Sequence, residues 1–375
     1  MIERDRHLLA RAYQEALRAE WLFTAPNPRV GALALAGGHV IGYGHHARLG
    51  GPHAEEAALR DAGAWDEERG APLAGVVDEM VVTLAPCSAH GAGKRRPACA
   101  DLLRAAGVRR ILVGCEDPDP RQHGASLIAA RAAGVEVSVL PFAQEPALAA
   151  FRAALAQPER PFVLLKWAAS LDGKIAAASG ASRWISGAEA RAEVHELRAL
   201  SDAVLCGRGT LLADDPELTA RPDGAAAAAQ PLRVLLDAPE DLPAAARVLA
   251  AAGRRLWVHG PGSRAPHNAP AADRTLAVPR LGTGLLDLAP LLHALRRDHG
   301  VRRLLVEGGA AVHGSFLDQR LADGVVRYEA PVLLGGSRAA CAGDGVPEPS
   351  QAPRLIHEER RDLGPDLRRA FLIAS

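Results

Sequence analysis

Aromatic residues make up only 4% of this 375-residue chain, so a core has to be assembled from Ala, Leu and Val rather than from rings. There is no excess of charge of either sign: 44 basic and 44 acidic residues leave a formal net charge of 0, without the electrostatic footprint expected of a nucleic-acid binder. No apolar run approaches the ~18 residues that a membrane span needs, and the charged opening from Met1 to Arg6 leads straight into a helical pattern. The expectation is a cytoplasmic protein with neither nucleic acid nor membrane as partner. Cysteine is sparse and odd in number, with five residues at Cys87, Cys99, Cys115, Cys206 and Cys341, which suits reduced thiols and metal ligation better than a disulfide framework. An internal repeat is also missing, so two halves of the chain would be different modules and not a duplication.

At roughly 100 to 200 residues per domain, the length argues for two domains. The first half alternates helical and strand patterns. A helix over 6–18 precedes an apolar hairpin over 30–41, followed by a helix at 55–62, a strand at 80–84, a helix at 100–106, a strand at 108–113, a helix at 127–133 and a strand at 135–140. Such alternation predicts a layered α/β domain. An Ala-rich helix over 144–157 ends in Pro158 to Pro161, and the boundary is placed there, giving domains of 1–150 and 160–375. The second half restarts with an apolar strand at 162–167 and alternates again down to a strand at 325–328. The run Ala225 to Ala229, bracketed by Gly224 and Pro231, reads as a surface loop.

Chemistry is concentrated first around His53. His53-Ala54-Glu55 opens a helix after Gly50-Gly51-Pro52, Cys87 follows a strand and Pro86, and Cys99 opens another helix. One His and two thiolates leave the fourth position of a tetrahedral zinc free for water, the arrangement of a catalytic rather than a closed structural site. Zinc lowers the pKa of bound water towards ~7, and Glu55 could carry its proton to a departing amino nitrogen, which is hydrolytic deamination. Zinc deaminases share this His-x-Glu and Pro-Cys signature, but with two residues between their cysteines, whereas Cys87 and Cys99 enclose residues 88–98. The competing reading is that both cysteines are buried small hydrophobes.

No Gly-x-Gly-x-x-Gly follows the first strand of the second half, so a Rossmann domain is unsupported. Instead an apolar strand at 304–306 runs into Glu307-Gly308-Gly309 and a helix, where backbone N–H groups could meet a phosphate, or where the glycines could simply form a tight turn.

Taken with their neighbours, these motifs resemble the bifunctional deaminase/reductase family of riboflavin biosynthesis. In the first half the resemblance lies in Thr24 to Gly31 (TAPNPRVG), Gly44 to His46, Gly50 to Glu55 (GGPHAE), Thr83 to Gly91 (TLAPCSAHG) and Pro97 to Asp101 (PACAD). In the second it lies in Lys166 to Lys174 (KWAASLDGK), Ser182 to Ser186 (SRWIS), Gly207 to Thr210 (GRGT), Ala213 to Pro216 (ADDP) and Leu218 to Arg221 (LTAR). It implies a cytidine-deaminase-like three-layer domain followed by a dihydrofolate-reductase-like domain, with Zn2+ and NADPH as cofactors and a phosphorylated pyrimidine as substrate, in a homo-oligomer. Residue by residue it implies His53, Cys87 and Cys99 as zinc ligands, Glu55 as proton shuttle and Asn27 as a pyrimidine contact. Ala168, Trp184, Thr210, Asp214 and the turn of Gly309, Ala310, Ala311, Val312, His313, Gly314 and Ser315 would line the NADPH site. Ser182, Arg198, Leu218, Arg221 and Glu307 would contact substrate, with Arg198 and Arg221 holding its phosphate and Lys166 or Glu307 donating a proton. Arg191 and Glu193 are read as surface ion pairs.

The chain also departs from the family pattern. Ala85 stands where a Glu usually precedes the Pro-Cys pair, Ala89 replaces a common His, and the segment between the cysteines is longer and carries Lys94, Arg95 and Arg96 as a solvated tip or a phosphate contact. Gln122 and Ser126 differ from the family loop, and Ala238 replaces a Ser that could contact cofactor. Two readings of the first half therefore stay open: an active deaminase with a remodelled pocket, or a zinc domain beside a reductase that carries the only activity.

Overall fold

The structure, a computed structural model, describes residues 2–88, 97–120, 124–142 and 146–374. Ala89, Lys94, Arg95, Arg96 and Gln122 lie outside the described residues. The chain divides into two compact units, Met1–Leu155 and Ala156–Ser375. Among the described residues no helix is long and apolar enough to cross a membrane.

The first unit is built on a five-stranded sheet in the order His39–His45, Gly31–Ala36, Glu79–Val82, Arg110–Val113, Glu136–Val139. The first two pairings are antiparallel and the other two parallel. The strand Gly31–Ala36 (GALALA) shows why three layers form. Side chains alternate across a strand, so Leu33 and Leu35 face Leu8, Leu9 and Ala12 of the helix Ile2–Leu17, while Ala32 and Ala34 face Ala54, Ala58 and Leu59 of the helix Ala54–Asp61. The small residues on the second face let that helix ride close: a Cβ on Gly44 would lie 2.3 Å from the Ala54 carbonyl oxygen.

The second unit carries a nine-stranded sheet in the order Arg274–Ala277, Arg255–His259, Leu232–Leu236, Ala203–Gly207, Arg303–Gly308, Phe162–Ser170, Gly324–Ala330, Asp366–Ile373, Leu355–Leu363. All neighbours are parallel as far as Gly324–Ala330, and the final hairpin is antiparallel. Its core is aliphatic, as the scarcity of rings requires. Val163, Leu165, Leu205, Val234, Leu304 and Val306 meet Leu288, Leu291, Leu292 and Leu295, which sit at helical spacing along Leu288–His299. The alternation expected from sequence stops at Val325 to Tyr328, and the last two strands escape it for a physical reason. The inward positions of Asp366–Ile373 are Asp366, Arg368, Ala370 and Leu372, so half of the buried face is charged and the period-2 apolar pattern is broken. Residues 225–229 belong to no helix or strand, in agreement with the loop expected there.

Candidate active sites

In the first unit two helix starts and a strand exit converge. His53 is the residue before the helix Ala54–Asp61, Cys99 is the first residue of Cys99–Ala105, and Cys87 lies beyond Glu79–Val82. Their ligand atoms all fall within 4.8 Å of one another, with His53 Nδ1 at 3.2 Å from Cys99 Sγ and 3.7 Å from Cys87 Sγ. A tetrahedral zinc holds nitrogen and sulfur ligands roughly 3.5 Å apart, so the three groups fit the ion as they stand. The Cys99 backbone N–H donates to Cys87 Sγ at 3.4 Å. Together with the Cys99 thiol and His53, it holds the Cys87 thiol well below its ordinary pKa. The Cys99 thiol is pushed up by its hydrogen bond to Cys87 and by burial, so the two sulfurs share a proton that a metal would displace.

Glu55, two residues beyond His53, is almost fully buried, and burial pushes its carboxyl pKa up, which suits a group that must accept and release a proton. Asn27 is half-buried and lies 3.3 Å, Nδ2 to Nε2, from His46, whose Nδ1 is 2.9 Å from the Pro52 carbonyl oxygen and whose ring packs edge-on to His53 at 5.2 Å. His46, which carries no role in the motif Gly44 to His46, links Asn27 to His53. Ala85 donates its backbone N–H to the Cys115 carbonyl oxygen at 2.9 Å and is buried, so a methyl group stands where the family has a carboxylate.

The second unit contains a cavity of about 380 Å³. It gathers Lys166, Ala168, Ser182, Trp184, Arg198, Thr210, Asp214, Leu218, Arg221, Glu307, Gly309 and His313 from across the sequence. At its floor Glu307, on the strand Arg303–Gly308, is gripped by the Nε and Nη2 edge of Arg198, with Nη2 to Oε2 at 2.8 Å, while Lys166 Nζ lies 3.5 Å from the same oxygen. Burial would raise the Glu307 carboxyl, but Arg198 and Lys166 outweigh it and hold the pKa down to about 2. Glu307 is thus held as an ionised acceptor by its two cationic neighbours. Burial acts the other way on Lys166, lowering its pKa despite Glu307, so it is the group of the two that can release a proton.

The geometry also separates the two arginines read as a phosphate pair. Arg198 is committed to Glu307 on one edge and to the Thr219 carbonyl oxygen at 3.1 Å through Nη1, while Arg221 is the more exposed of the two and stands with Glu217. Of the turn from Gly309, only Gly309 and His313 reach the cavity. Ala310 already begins the helix Ala310–Asp318, Val312 packs on the core, and Ser315 is buried with Oγ accepting from Gln319 Nε2 at 2.8 Å. Gly314 is required by packing, since a Cβ there would lie 2.2 Å from the Ala342 carbonyl oxygen. Gly309 has φ +90°, and a Cβ on it would come within 3.0 Å of Thr210 Oγ1. The bare backbone at the head of this helix is the cradle a dinucleotide phosphate needs.

The surface reading of Arg191 and Glu193 is wrong. Glu193 is buried, accepts from the Tyr328 hydroxyl at 2.9 Å and pairs with the fully buried Arg368 at 3.4 Å. Arg191 lines the cavity with its guanidinium 4.6 Å from the centre of the Trp184 ring. His195, Glu217, Arg247 and Tyr328 also line the cavity and were not found from the sequence, because no motif marks them and only the fold brings them there.

A deaminase-type zinc corner in one unit and a reductase-type cavity in the next define a two-headed enzyme, a zinc-dependent deaminase joined to an NADPH-dependent reductase. Residues 2–115 match the family described as the cytidine and deoxycytidylate deaminase zinc-binding region, and residues 161–368 match the RibD C-terminal domain. The riboflavin biosynthesis protein RibD of Escherichia coli (strain K12) is 36% identical over 375 residues, covering 97% of this chain and 98% of the relative. RibD of Bacillus amyloliquefaciens is 35% identical over 353 residues, covering 92% and 90%. Acinetobacter baumannii RibD superposes with a TM-score of 0.71 at 31% identity, covering 100% of both chains. A diaminohydroxyphosphoribosylaminopyrimidine deaminase/5-amino-6-(5-phosphoribosylamino)uracil reductase from Thermotoga maritima does so with 0.68 at 30% identity, covering 99% of both. The chain belongs to this bifunctional RibD family of riboflavin biosynthesis, with the cytidine-deaminase-like and dihydrofolate-reductase-like folds expected of it.

Proposed function

We propose that the two sites act in succession on one phosphoribosylaminopyrimidine: hydrolytic removal of a ring amino group in residues 1–150, then reduction of the ribosyl group to ribityl in residues 160–375. The observation that carries the reading is that His53, Cys87 and Cys99 converge, with Cys99 and Glu55 buried and His53 and Cys87 partly accessible. A zinc ion held by the three ligands supplies activated water at neutral pH. Glu55, buried beside the three ligands, would carry a proton to the amino nitrogen that departs as ammonia, and Asn27, beside His46, would contact the pyrimidine. For the second step, NADPH bound in the cavity would supply hydride to C1 of the opened ribosylamine, an imine. Lys166 donates the accompanying proton at the imine nitrogen. Glu307, fixed as an anion, keeps Lys166 and Arg198 in place and accepts from the substrate. Arg221 takes the phosphate, with Ser182 and Leu218 beside it, while Ala168, Trp184, Thr210, Asp214 and the turn at Gly309, with His313, hold the cofactor. The protein is read as a cytoplasmic homo-oligomer without nucleic-acid or membrane partners.

The test is to assay the half-reactions separately on the zinc-loaded full chain. The diaminohydroxy substrate should release ammonia without NADPH, and 5-amino-6-(5-phosphoribosylamino)uracil should oxidise NADPH. Oxidation without any ammonia release would refute the deaminase and leave a reductase alone.

A further inference from the structure

One corner of the reductase cavity holds more positive charge than the substrate contacts named above account for. Glu217 sits between two arginines: Oε2 accepts from Arg221 Nη1 and Oε1 from Arg247 Nη2, and all three side chains line the cavity. Arg221 Nη1 also donates to Thr219 Oγ1 at 2.6 Å. Among the described residues, Nε and the second terminal nitrogen of each guanidinium have no hydrogen-bond partner. Two cations against one carboxylate leave a surplus of one positive charge, with free N–H groups on each side of the Glu217 bracket. The nearby Asp215 does not neutralise it through Arg247's side chain, because its Oδ1 accepts from the Arg247 backbone N–H at 2.8 Å.

The corner is built on a rigid base. Arg233 is buried to 1% exposure, and its guanidinium donates to the carbonyl oxygens of Val248, Ala251, Ala252 and Gly253 at 2.9–3.0 Å, with that of Glu217 at 3.5 Å. One buried cation thereby ties the backbone that carries Glu217 to the end of the short helix Arg247–Ala250. Pre-organised guanidiniums with unused donors match the geometry of a phosphate monoester.

We propose that Arg247 is a second phosphate-binding residue of the reductase, held beside Arg221 by Glu217, so that the substrate phosphate is clamped between two guanidiniums. This rests on the reading of Arg221 as a phosphate contact. The clamp makes the reductase selective for the phosphorylated substrate over its riboside, because each charge-assisted contact is gained only when the phosphate is present.

Steady-state NADPH oxidation by the full chain tests this, with 5-amino-6-(5-phosphoribosylamino)uracil and its dephosphorylated riboside as paired substrates. Arg247→Ala should raise KM for the phosphorylated substrate about 10-fold or more, as expected for loss of a charge-assisted hydrogen bond. kcat, KM for NADPH and KM for the riboside should stay within about 2-fold, the scatter expected where no such contact is lost, and Arg247→Lys should recover part of the loss. If Arg221→Ala raises KM for the phosphorylated substrate while Arg247→Ala does not, the clamp is overturned and the Arg221 reading stands. If neither does, both fall. Equal losses with both substrates, or a rise in KM for NADPH alone, would also overturn the proposal by assigning Arg247 to the framework or to the cofactor. Arg247 is half-exposed, so the variant is not expected to unfold; thermal melting checks this.

Discussion

At the metal corner the working groups stand at the ends of short local elements, and the fold leaves their charge for an ion to complete. His53 precedes one helix, Cys99 opens another, and an amide of that helix already favours the Cys87 thiolate. The second unit instead sets each carboxylate of its cavity against cationic side chains of its own. Glu307 faces Arg198 and Lys166, and Glu217 faces Arg221 and Arg247, with positive charge to spare at the Glu217 corner. The lesson is that a metal site can be specified by a few residues at helix starts, because the ion supplies the missing interaction. A site that binds two organic molecules needs its buried charges paired before either arrives, since an unpaired buried charge costs several kcal/mol.

The comparison breaks most readily at the metal. Cys99→Ser should lower bound zinc, measured by elemental analysis, and abolish ammonia release while NADPH oxidation continues. Glu55→Gln sharpens the point, since it should keep the zinc yet slow deamination by about 10²- to 10⁴-fold, the usual contribution of a general acid–base group. If Glu55→Gln also lost the metal, Glu55 would belong to the framework instead. In the other unit Lys166→Met should reduce kcat for NADPH oxidation by about 10²-fold with ammonia release unchanged; an unchanged kcat would remove Lys166 as proton donor. For Glu307 the readout is stability, not rate. Its carboxyl is held below the ordinary 4.5, at about 2, so the stability it contributes is complete above pH 4.5 and disappears as pH falls towards 2. Glu307→Gln should destabilise the reductase unit by about 3 to 5 kcal/mol at neutral pH by leaving Arg198 and Lys166 uncompensated. That deficit should shrink between pH 4.5 and 2, followed by urea unfolding at a series of pH values.

Much of the fold was legible because apolar periodicity reports which face is buried. The alternation in Gly31–Ala36 and the spacing of Leu288, Leu291, Leu292 and Leu295 are read directly from the residues. The final hairpin was not, since the inward face of Asp366–Ile373 carries Asp366 and Arg368, and a charged residue pointing inward is invisible to a rule based on hydrophobicity. The same blindness placed Glu193 on the surface.

By itself, the sequence determined the family and its two-module organisation, and it singled out His53, Cys87, Cys99 and Glu55 as the candidate zinc corner, because these rest on residue type and short spacing. Only the tertiary structure decided that Arg198 serves Glu307, that Glu307 stays ionised, and that Arg247 stands beside Arg221. Those facts depend on distances through space between groups far apart in the chain, and on how completely the fold removes them from water.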